Sequence, residues 1–402
     1  MKKRFKVLGM AVLLLVLALT VGENLAESQA RKSEETLYQQ LQMFSDVLSI
    51  VQKNYVEEVE NKKLINGALR GMLSSLDPYS QFLEPELYKE LEIETEGKFG
   101  GVGMTITVKD NLVTVVSPLE DTPAFRAGIQ PNDRIIKIDG KLTRGMDSAA
   151  AAKLLRGDPS TRVNIEVLRE GAPELLKLEL TRELIKLKSV KRAQLIEGSR
   201  IGYIRLVEFQ KESYTDLKAA LETLRKDGLE GLVLDLRNNP GGLLDSSISI
   251  ADLFLPPNRL VVYTQGRRTE DRIEYRTRQA EAIPASLPMV ILVDEGSASA
   301  SEILAGALSD SKRAVLVGKK SFGKGSVQTV IPLPESSAVK LTIARYYTPS
   351  GRVIEGKGLT PDIEVEQNIR TLALEGKIDL EKDAQLQRAL DLLKGLTVLR
   401  EK

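Results

Sequence analysis

The stretch 293–310 is the place where this sequence could present a nucleophile. It reads VDEGSASASEILAGALSD and overlaps the end of the apolar run MVILV. An apolar strand that passes through small residues into an apolar helix presents a side chain at the strand-to-helix turn, where Ser299 stands. Glu302 follows three residues later, so the plain alternative is a capping box at an ordinary helix start.

Activation of this serine would need an unusual base, because the 402-residue chain contains 0 His and 0 Cys. These absences exclude a Ser-His-Asp arrangement, thiol nucleophiles, disulfides and metal sites built from imidazole or thiolate. The base then has to be a lysine, a carboxylate, a tyrosine or a chain terminus.

Lys324 is the best base that remains. It lies in the segment GKKSFGKG (318–325), where Gly323 and Gly325 allow other groups to close over it. An ordinary lysine, with a pKa of about 10.4, is almost fully charged at pH 7. Burial beside apolar groups lowers that pKa toward the range of about 7–8 that suits a base. The alternative is a solvated cation in a loop.

Gln328 is a candidate third member of the group. In an extended chain alternate side chains share a face, so Lys324, Ser326 and Gln328 are expected to project together. Gln328 could then hydrogen-bond the amine or the serine hydroxyl and orient it. The alternative is an exposed polar side chain on an ordinary strand.

Backbone amides could supply an oxyanion site. The segment RNNPGGLLD (237–245) lies between a strand end and a helix start, and its Gly241 and Gly242 amides could face a developing negative charge. The amide of Ala300, just past the serine, is a second donor. The alternative is a plain turn before a helix.

The lysine segment also resembles a phosphate-binding loop, G-x-x-x-x-G-K-[ST]. Its last position is Gly325, so the hydroxyl that would bind Mg²⁺ is missing. The following residues, SVQTVIPLP, are typical of a strand, whereas a phosphate loop opens a helix. The sequence therefore argues against nucleotide binding.

Helices and then a small β-rich module precede these motifs. An apolar stripe at helical spacing predicts a helix over 33–58, which either packs on its own domain or forms a dimer contact. The stripe consists of Leu37, Leu41, Phe44, Leu48, Val51 and Tyr55. A second helix is predicted over Leu64–Leu76, ending at Asp77-Pro78. Short strands are then predicted at 103–108, 112–116, 134–138, 163–168 and 175–180, with one helix at 147–156.

Beyond Thr181 strands alternate with helices, which predicts a largely parallel sheet. Strands are expected at 201–209 and 229–237 and helices at 214–228 and 243–254, and the same order repeats at 288–309. A further β region is expected at 314–318, 326–333 and 338–347, before a last helix at 380–396 without evident chemistry.

Taken together, these motifs resemble the carboxy-terminal processing peptidases, also called tail-specific proteases. The resemblance spans nearly the whole chain through SLDPYSQF, FGGVGM, RNNPGG, EGSASASEILAGAL and GKGSVQ, in that order. It implies an exported serine peptidase with a Ser-Lys dyad and no metal or cofactor. It also implies the following roles: Ser299 as nucleophile rather than Ser297 or Ser301, Lys324 as base, Gln328 as its orienting partner, and Gly241, Gly242 and Ala300 as the oxyanion site. Ser301 and Ser326 could assist.

The same resemblance implies a multidomain α/β fold, with a protease core of the crotonase/Clp-like type and an inserted PDZ domain. The expected division is a signal peptide or membrane anchor at 1–28, a helical region at 29–95, the PDZ domain at 96–182, the protease core at 183–360 and a helical tail at 361–402.

Within the PDZ domain, the glycine-rich segment FGGVGM can form a nest of amides for a chain-terminal carboxylate. The expected peptide-binding residues are Gly100, Gly101, Val102, Gly103 and Met104. The strand that begins at Met104 offers an edge to an extended tail, and the helix at 147–156 forms the other wall. Apolar side chains are therefore expected at the substrate's C-terminus. A further hypothesis pairs Arg156 with an acidic core residue that reports the PDZ position.

The N-terminus and the charge balance indicate location and partners. A basic start, MKKRFK, precedes an uncharged run at 7–22, which predicts export to the periplasm or to the outer face of the cytoplasmic membrane. Lys+Arg number 57 against 56 Asp+Glu, a balance that argues against nucleic-acid binding. The sequence leaves open cleavage of this segment against inner-membrane anchoring, a homodimer through the N-terminal helices, an adaptor or lipoprotein activator, and autoinhibition by the PDZ domain.

Two other functions fit the same residues less completely. One is a catalytically inactive PDZ-based scaffold or adaptor that binds protein tails. The other is an acyl-transfer enzyme that acts on a non-protein substrate. The expected partners of the favoured function are protein substrates with apolar C-terminal tails.

Overall fold

The computed structural model describes residues 37–119, 121–279, 282–366 and 382–400. They form two compact units that divide between Phe82 and Leu83. No helix within these described ranges is long and apolar enough to cross a membrane. The predicted export segment at 7–22 lies outside them.

The first unit is helical, as its apolar periodicity predicts. Residues 37–54 form helix α1, helix α2 covers Asn61–Ser74, and strand β1 follows at Gln81–Leu83. The chain turns between α2 and β1 because the Asp77 carboxylate accepts the backbone N–H groups of Tyr79 and Ser80, each at 2.8 Å. Most of the apolar stripe on α1 is exposed in the single chain, including Leu41 and Phe44.

Helix α3, Pro85–Glu96, opens the second unit and leads into a short antiparallel ribbon. Pro85 begins α3 and Gly97 ends it in a left-handed conformation with φ 69°, which favours glycine. Strand β2, Lys98–Gly101, then pairs with β9, Glu183–Lys186. The sequence predicts a helical region over 29–95, but it predicts neither α3 as a separate element nor the β2–β9 ribbon.

The β-rich module between these two strands has its own core. Its sheet has the order β3-β4-β5-β7-β8, and β6 pairs with β5. The strands are β3 Met104–Lys109, β4 Leu112–Pro118, β5 Arg134–Ile138, β6 Lys141–Leu142, β7 Arg162–Leu168 and β8 Leu176–Thr181. Helices α4, Pro123–Arg126, and α5, Ser148–Leu155, complete it. Strands β3, β4, β5, β7 and β8 and helix α5 confirm the predicted elements within two residues, whereas β6 and α4 were not predicted.

A largely parallel sheet forms the second core, with the order β10-β11-β12-β15-β16-β19. Only β10 runs antiparallel to its neighbour within this sheet. Its strands are β10 Val190–Leu195, β11 Ile201–Leu206, β12 Gly231–Asp235, β15 Met289–Val293, β16 Val315–Gly318 and β19 Ile363–Glu364. Continuous apolar runs such as MVILV are expected here, because helices cover both faces of the sheet.

The helices of this core lie on two sides of the sheet. The larger apolar cluster includes side chains of α6 Ser213–Lys226, α7 Leu244–Ala251 and α8 Ala300–Asp310. A second cluster includes Leu386, Ala389, Leu390 and Leu393 of helix α9, Ala384–Arg400. The predicted C-terminal helix is thus present, and it packs on the core sheet.

An antiparallel sheet lies beside this core. Strand β17, Ser326–Pro332, pairs with β18, Ala338–Tyr347, which also pairs with β13, Leu260–Gln265. Strand β14, Ile273–Arg276, pairs with the other side of β13, after a short 3₁₀ turn at Thr269–Asp271. Since β17 begins directly after Gly325, the lysine segment leads into a strand, as the argument against a phosphate loop required.

Candidate active site

Ser299 stands at a strained turn between β15 and α8. Its backbone has φ 54° and ψ −114°, a conformation that L-residues adopt rarely and that is common at functional sites. The neighbouring serines are used within the turn. Ser297 Oγ donates to the Leu236 carbonyl at 2.8 Å, and Ser301 Oγ donates to the Asn239 carbonyl at 2.9 Å. Both are fully buried, whereas Ser299 retains 8% exposure and lines a cleft.

Glu302 joins the serine turn to the lysine loop. Ser299 and Glu302 form the expected capping box. One carboxylate oxygen, Oε2, accepts the backbone N–H of Ser299 and the backbone N–H of Lys324, each at 2.9 Å. The other, Oε1, accepts the Gly323 N–H at 2.8 Å and the Ser321 hydroxyl at 2.5 Å. The two backbone nitrogens that share Oε2 therefore lie within twice the hydrogen-bond length of each other.

The Glu302 carboxyl group is itself strongly affected by its position. It is 1% exposed, and burial raises its pKa, although the hydrogen bonds from Ser321 and from the three backbone N–H groups oppose that shift. From the sequence, Glu302 is recognisable only as half of a capping box. Its contacts with the lysine loop come from residues 19–22 positions away.

The lysine loop is closed over by backbone, as its glycines predicted. Gly356 N–H donates to the Gly323 carbonyl at 2.8 Å, and Gly325 N–H donates to Glu355 Oε2 at 2.8 Å. A Cβ on Gly325 would lie 2.2 Å from the Glu355 nitrogen, so no larger residue fits there. Lys324 is consequently half-buried.

Burial lowers the pKa of Lys324, and the charge of Lys340 lowers it further. The carboxylates of Glu355 and Glu302 act in the opposite direction, and the net shift is downward. A lysine whose ammonium form is disfavoured in this way has more of the neutral amine that a general base requires.

Ser299 and Lys324 line one cleft of about 540 Å³. Apolar and glycine residues form much of its wall, in particular Phe209, Gly242, Leu243, Leu244, Val327, Val330 and Tyr346. The α3 residues that line the same cleft are Tyr88, Leu91, Glu92, Glu94 and Thr95. The cleft thus combines an apolar wall with a serine and a lysine, a combination that suits a peptide substrate.

Gln328 also lines this cleft, but its place in the strand differs from the simple alternation that the sequence suggested. The β17–β18 register shifts between Val327 and Gln328. Gln328 Nε2 donates to Ser326 Oγ at 2.7 Å and to Thr342 Oγ1 at 3.4 Å. These bonds orient the amide within the sheet, and the predicted orienting role toward Lys324 stays a prediction.

The glycine turn abuts the nucleophile. A Cβ on Gly241 would lie 2.8 Å from Ser299 Cβ and 2.9 Å from the Ala300 nitrogen. Gly241 has φ 103°, and its N–H donates to Asn239 Oδ1 at 2.9 Å. This donor, expected to face an oxyanion, is therefore engaged within its own turn. Gly242 lines the cleft, and the oxyanion roles of Gly242 and Ala300 remain predictions.

The PDZ groove lies between β3 and α5 and encloses about 420 Å³. Phe99, Val102, Gly103 and Met104 line its end. The predicted nest differs here, because Gly100 and Gly101 belong to β2 and pair with β9. Two adjacent glycines suggested an open loop, but a Cβ on Gly100 would lie 2.1 Å from the Gly157 carbonyl oxygen, so glycine permits close packing instead.

Helix α3 borders both the groove and the cleft. Glu90 lines the PDZ groove, and Glu86 forms an ion pair with Lys153 of α5 at 2.7 Å. Arg156, which was expected to meet an acidic core residue, lies over the Phe99 ring, 5.2 Å from its centroid. No group of His, Cys, Asp and Glu side chains that could hold a metal ion occurs in the part of the chain that the structure describes.

Comparisons with known proteins agree with this architecture. Residues 200–365 match Peptidase family S41, residues 114–169 match a PDZ domain, and residues 15–87 match the N-terminal domain of the activating protease CtpB. A carboxy-terminal-processing protease of Bartonella bacilliformis is 44% identical over 347 residues, which are 85% of this chain and 79% of that protein. The carboxy-terminal processing protease CtpA of Bacillus subtilis is 33% identical over 373 residues, 91% of this chain and 77% of that protein.

Among solved structures, a photosystem II D1 C-terminal processing protease is 31% identical. The match covers 84% of this chain and 95% of that one, with a TM-score of 0.49. The PDZ module, the α/β peptidase core and the sequence relatives define a serine-type peptidase. The chain belongs to peptidase family S41, among the carboxy-terminal processing proteases. The predicted family and the predicted α/β fold with a PDZ domain are thereby confirmed.

Proposed function

We propose that this chain is a serine endopeptidase that recognises apolar protein C-termini through its PDZ domain and cleaves with a Ser299–Lys324 dyad. One observation carries the dyad: the backbone nitrogens of both residues donate to the same buried Glu302 oxygen. Their side chains also line one cleft. A lysine with a lowered pKa in the same cleft as a serine suits nucleophilic catalysis without imidazole.

The reaction follows from these groups. The neutral Lys324 amine takes the proton of Ser299 Oγ as that oxygen bonds to the peptide carbonyl carbon. The resulting oxyanion accepts hydrogen bonds from the Gly242 amide and from the Ala300 amide at the start of α8. The C–N bond then breaks, and the Lys324 ammonium gives its proton to the leaving amine. The neutral amine next takes a proton from water as the water oxygen bonds to the acyl carbon, and it returns that proton to Ser299 Oγ as the acyl–oxygen bond breaks.

The PDZ groove supports the choice of substrate. Its lining is largely apolar, with Phe99, Val102, Met104, Ile106 and Leu155. An extended tail that adds to the β3 edge places alternate side chains into this groove. The recognised feature is therefore an apolar C-terminal side chain, and Val102, Gly103 and Met104 are the predicted residues left to bind its free carboxylate.

Cleavage of a tailed protein tests this function. A folded carrier protein with an apolar C-terminal tag is expected to be cleaved at least about tenfold faster than the same carrier with a charged or amidated tail, because each well-placed apolar contact contributes on the order of 1–3 kcal/mol. Serine-directed fluorophosphonate labelling of the wild type is expected in parallel.

The outcomes separate the rival functions. Tail binding without labelling or cleavage would favour the inactive scaffold. Labelling without cleavage of any tailed protein would favour an acyl-transfer enzyme of another substrate. Equal cleavage of all tails would remove the PDZ groove from the proposal and leave the dyad in place.

Lys340 provides a test of the base through pH. It lies on β18 opposite Val330 and lines the same cleft as Lys324. Because the base acts only when neutral, activity falls as pH drops through the pKa of Lys324. Burial and the Lys340 charge both lower that pKa. Lys340→Met is therefore expected to raise it, so the acid limb of kcat/KM moves to higher pH.

Lys340→Arg is the matched control, because it keeps the positive charge and should leave the limb in place. The profile of kcat/KM against pH is measured for the three proteins. The same limb in Lys340→Met as in the wild type would contradict the assignment of that limb to Lys324.

The location and oligomeric state extend the proposal. The basic start and uncharged run favour export, with action at the periplasmic or outer face of the membrane, and mass spectrometry of the mature N-terminus distinguishes cleavage from anchoring. The exposed apolar stripe of α1 favours a homodimer through the N-terminal helices. A monomer in sedimentation equilibrium at micromolar concentration would exclude that dimer.

A further inference from the structure

A buried charged cluster lies at the carboxyl end of strand β12, outside the cleft. It consists of Tyr203, Asp235, Arg237, Asp383 and Gln385. Arg237 is 6% exposed, Asp235 0% and Asp383 4%. Asp383 and Gln385 belong to the C-terminal segment, where the sequence predicts a helix without evident chemistry.

Arg237 uses all its side-chain donors in this cluster. Nε and Nη2 donate to Asp235 at 3.0 and 2.7 Å, and Nη1 and Nη2 donate to Asp383 at 2.9 and 2.8 Å. Nη1 also donates to Gln385 Oε1 at 3.1 Å. A guanidinium has five N–H groups, so every one has an acceptor. Although burial favours the neutral acid, Arg237 and the Tyr203 hydroxyl hold the pKa of Asp235 below its ordinary value.

The chain runs from Arg237 directly into the glycine turn. Asn238 N–H donates to Asp294 Oδ1 at 2.8 Å, which ties the turn to the end of β15. The Asn239 carbonyl accepts the Ala298 N–H at 3.0 Å and the Ser301 hydroxyl at 2.9 Å. Ala298 and Ser301 flank the nucleophile and the first residue of α8. The turn is thus held at two places, by the residues on either side of Ser299 and by the Arg237 cluster.

Asp383 is fixed by the helix that it begins. Its Oδ1 accepts the Leu386 N–H at 3.0 Å, and its carbonyl accepts the Gln387 N–H at 2.9 Å. The apolar side of α9, including Leu390 and Leu393, is buried against the core sheet. These hydrogen bonds of the first turn therefore fix the Asp383 carboxylate where it meets Arg237, whereas Leu393 lies more than two turns further along the helix.

We propose that Asp383 is a positioning residue for the peptidase centre, holding the turn 237–242 in register with Ser299 through Arg237. The C-terminal helix is then part of the catalytic support. The inference rests on the proposed function, because it requires that the glycine turn borders the developing oxyanion. A displacement of about 1 Å at such a turn is enough to lower kcat by about 100-fold.

Asp383→Asn is the test variant. It keeps the side-chain shape and leaves Arg237 paired with Asp235, so no buried cation loses its only partner. We expect kcat for a tailed substrate to fall about 10- to 100-fold, with KM and tail-peptide affinity within about threefold of the wild type. The rate of fluorophosphonate labelling should fall with kcat, because that reagent needs the same turn.

Leu393→Ala is the matched control. It removes a fully buried side chain from α9 and lowers thermal stability without touching Arg237. At a temperature where both variants are folded by circular dichroism, Leu393→Ala should retain wild-type kcat. Asp383→Glu, which restores the charge, should recover part of the loss in Asp383→Asn.

The results decide the inference in each case. Wild-type kcat in folded Asp383→Asn would overturn it, and so would an equal loss in Leu393→Ala, since stability alone would then explain both. If Asp383→Asn does not fold, Gln385→Ala tests the same anchor, and a severalfold lower kcat at unchanged KM is expected, while wild-type kcat there would overturn it. Wild type and Ser299→Ala are run alongside, and equal activity of these two would instead contradict the proposed function.

Discussion

Lys324→Arg is expected to lower kcat/KM for peptide cleavage by about 10⁴-fold or more, as Ser299→Ala should, because members of a nucleophile–base pair act as one unit. Arginine keeps a positive charge and hydrogen-bond donors, but it does not lose its proton in proteins. The lysine loop should keep its structure in this variant, since Glu302 binds the Lys324 backbone N–H at 2.9 Å, a contact that the replacement retains.

Lys320→Arg is the matched control for this prediction. Lys320 lies in the same loop but is exposed, and its replacement should leave cleavage and fluorophosphonate labelling at wild-type rates. Circular dichroism and tail-peptide binding show whether each variant is folded. Retained cleavage in Lys324→Arg would mean that another group takes the serine proton, and persistent labelling of Ser299→Ala would place the nucleophile elsewhere.

Local signals in the sequence predicted most elements of the two cores. Apolar runs such as MVILV and the alternation of β7 mark buried strands, and the glycine and proline turns separate them. Helix α3 was missed because its sequence, PELYKELEIETE, carries no apolar stripe and none of its residues is buried. The β2–β9 ribbon was missed because it pairs residues at the two ends of the PDZ module.

The candidate site also has residues that the sequence predicts and contacts that it does not. Residue types, spacing and the family resemblance together predict Ser299 and Lys324 as the candidate pair, because a chain without histidine or cysteine leaves few groups that could perform acyl transfer. The supports could not be predicted, since they join distant positions: Arg237 and Asp383 are 146 residues apart. The prediction of a nest at Gly100 and Gly101 was wrong, because the sequence does not reveal whether a glycine serves an open nest or a close backbone contact.

Glu302→Gln is expected to lower kcat/KM by about 10²- to 10³-fold, comparable to removing an oxyanion donor, although Glu302 need not touch the substrate. The carboxylate accepts four donors, two on each oxygen. A glutamine offers only one acceptor oxygen. Its NH₂ group would face the two donors that the second carboxylate oxygen accepts in the wild type. Hydrogen bonds to charged groups contribute about 1.5–3 kcal/mol each, so the free energy of unfolding should also fall by a few kcal/mol.

Glu355→Gln is the matched control for Glu302→Gln, because it also removes a carboxylate near Lys324. Glu355 also holds the lysine loop, through the Gly325 N–H at 2.8 Å, whereas Glu302 binds both the lysine loop and the Ser299 N–H. We therefore expect a loss of activity no greater than about tenfold in Glu355→Gln, the size of one ordinary hydrogen bond. Cleavage rates and urea unfolding of both variants are compared. If Glu302→Gln proved as active as Glu355→Gln, the shared oxygen would not be what brings the nucleophile and its base together.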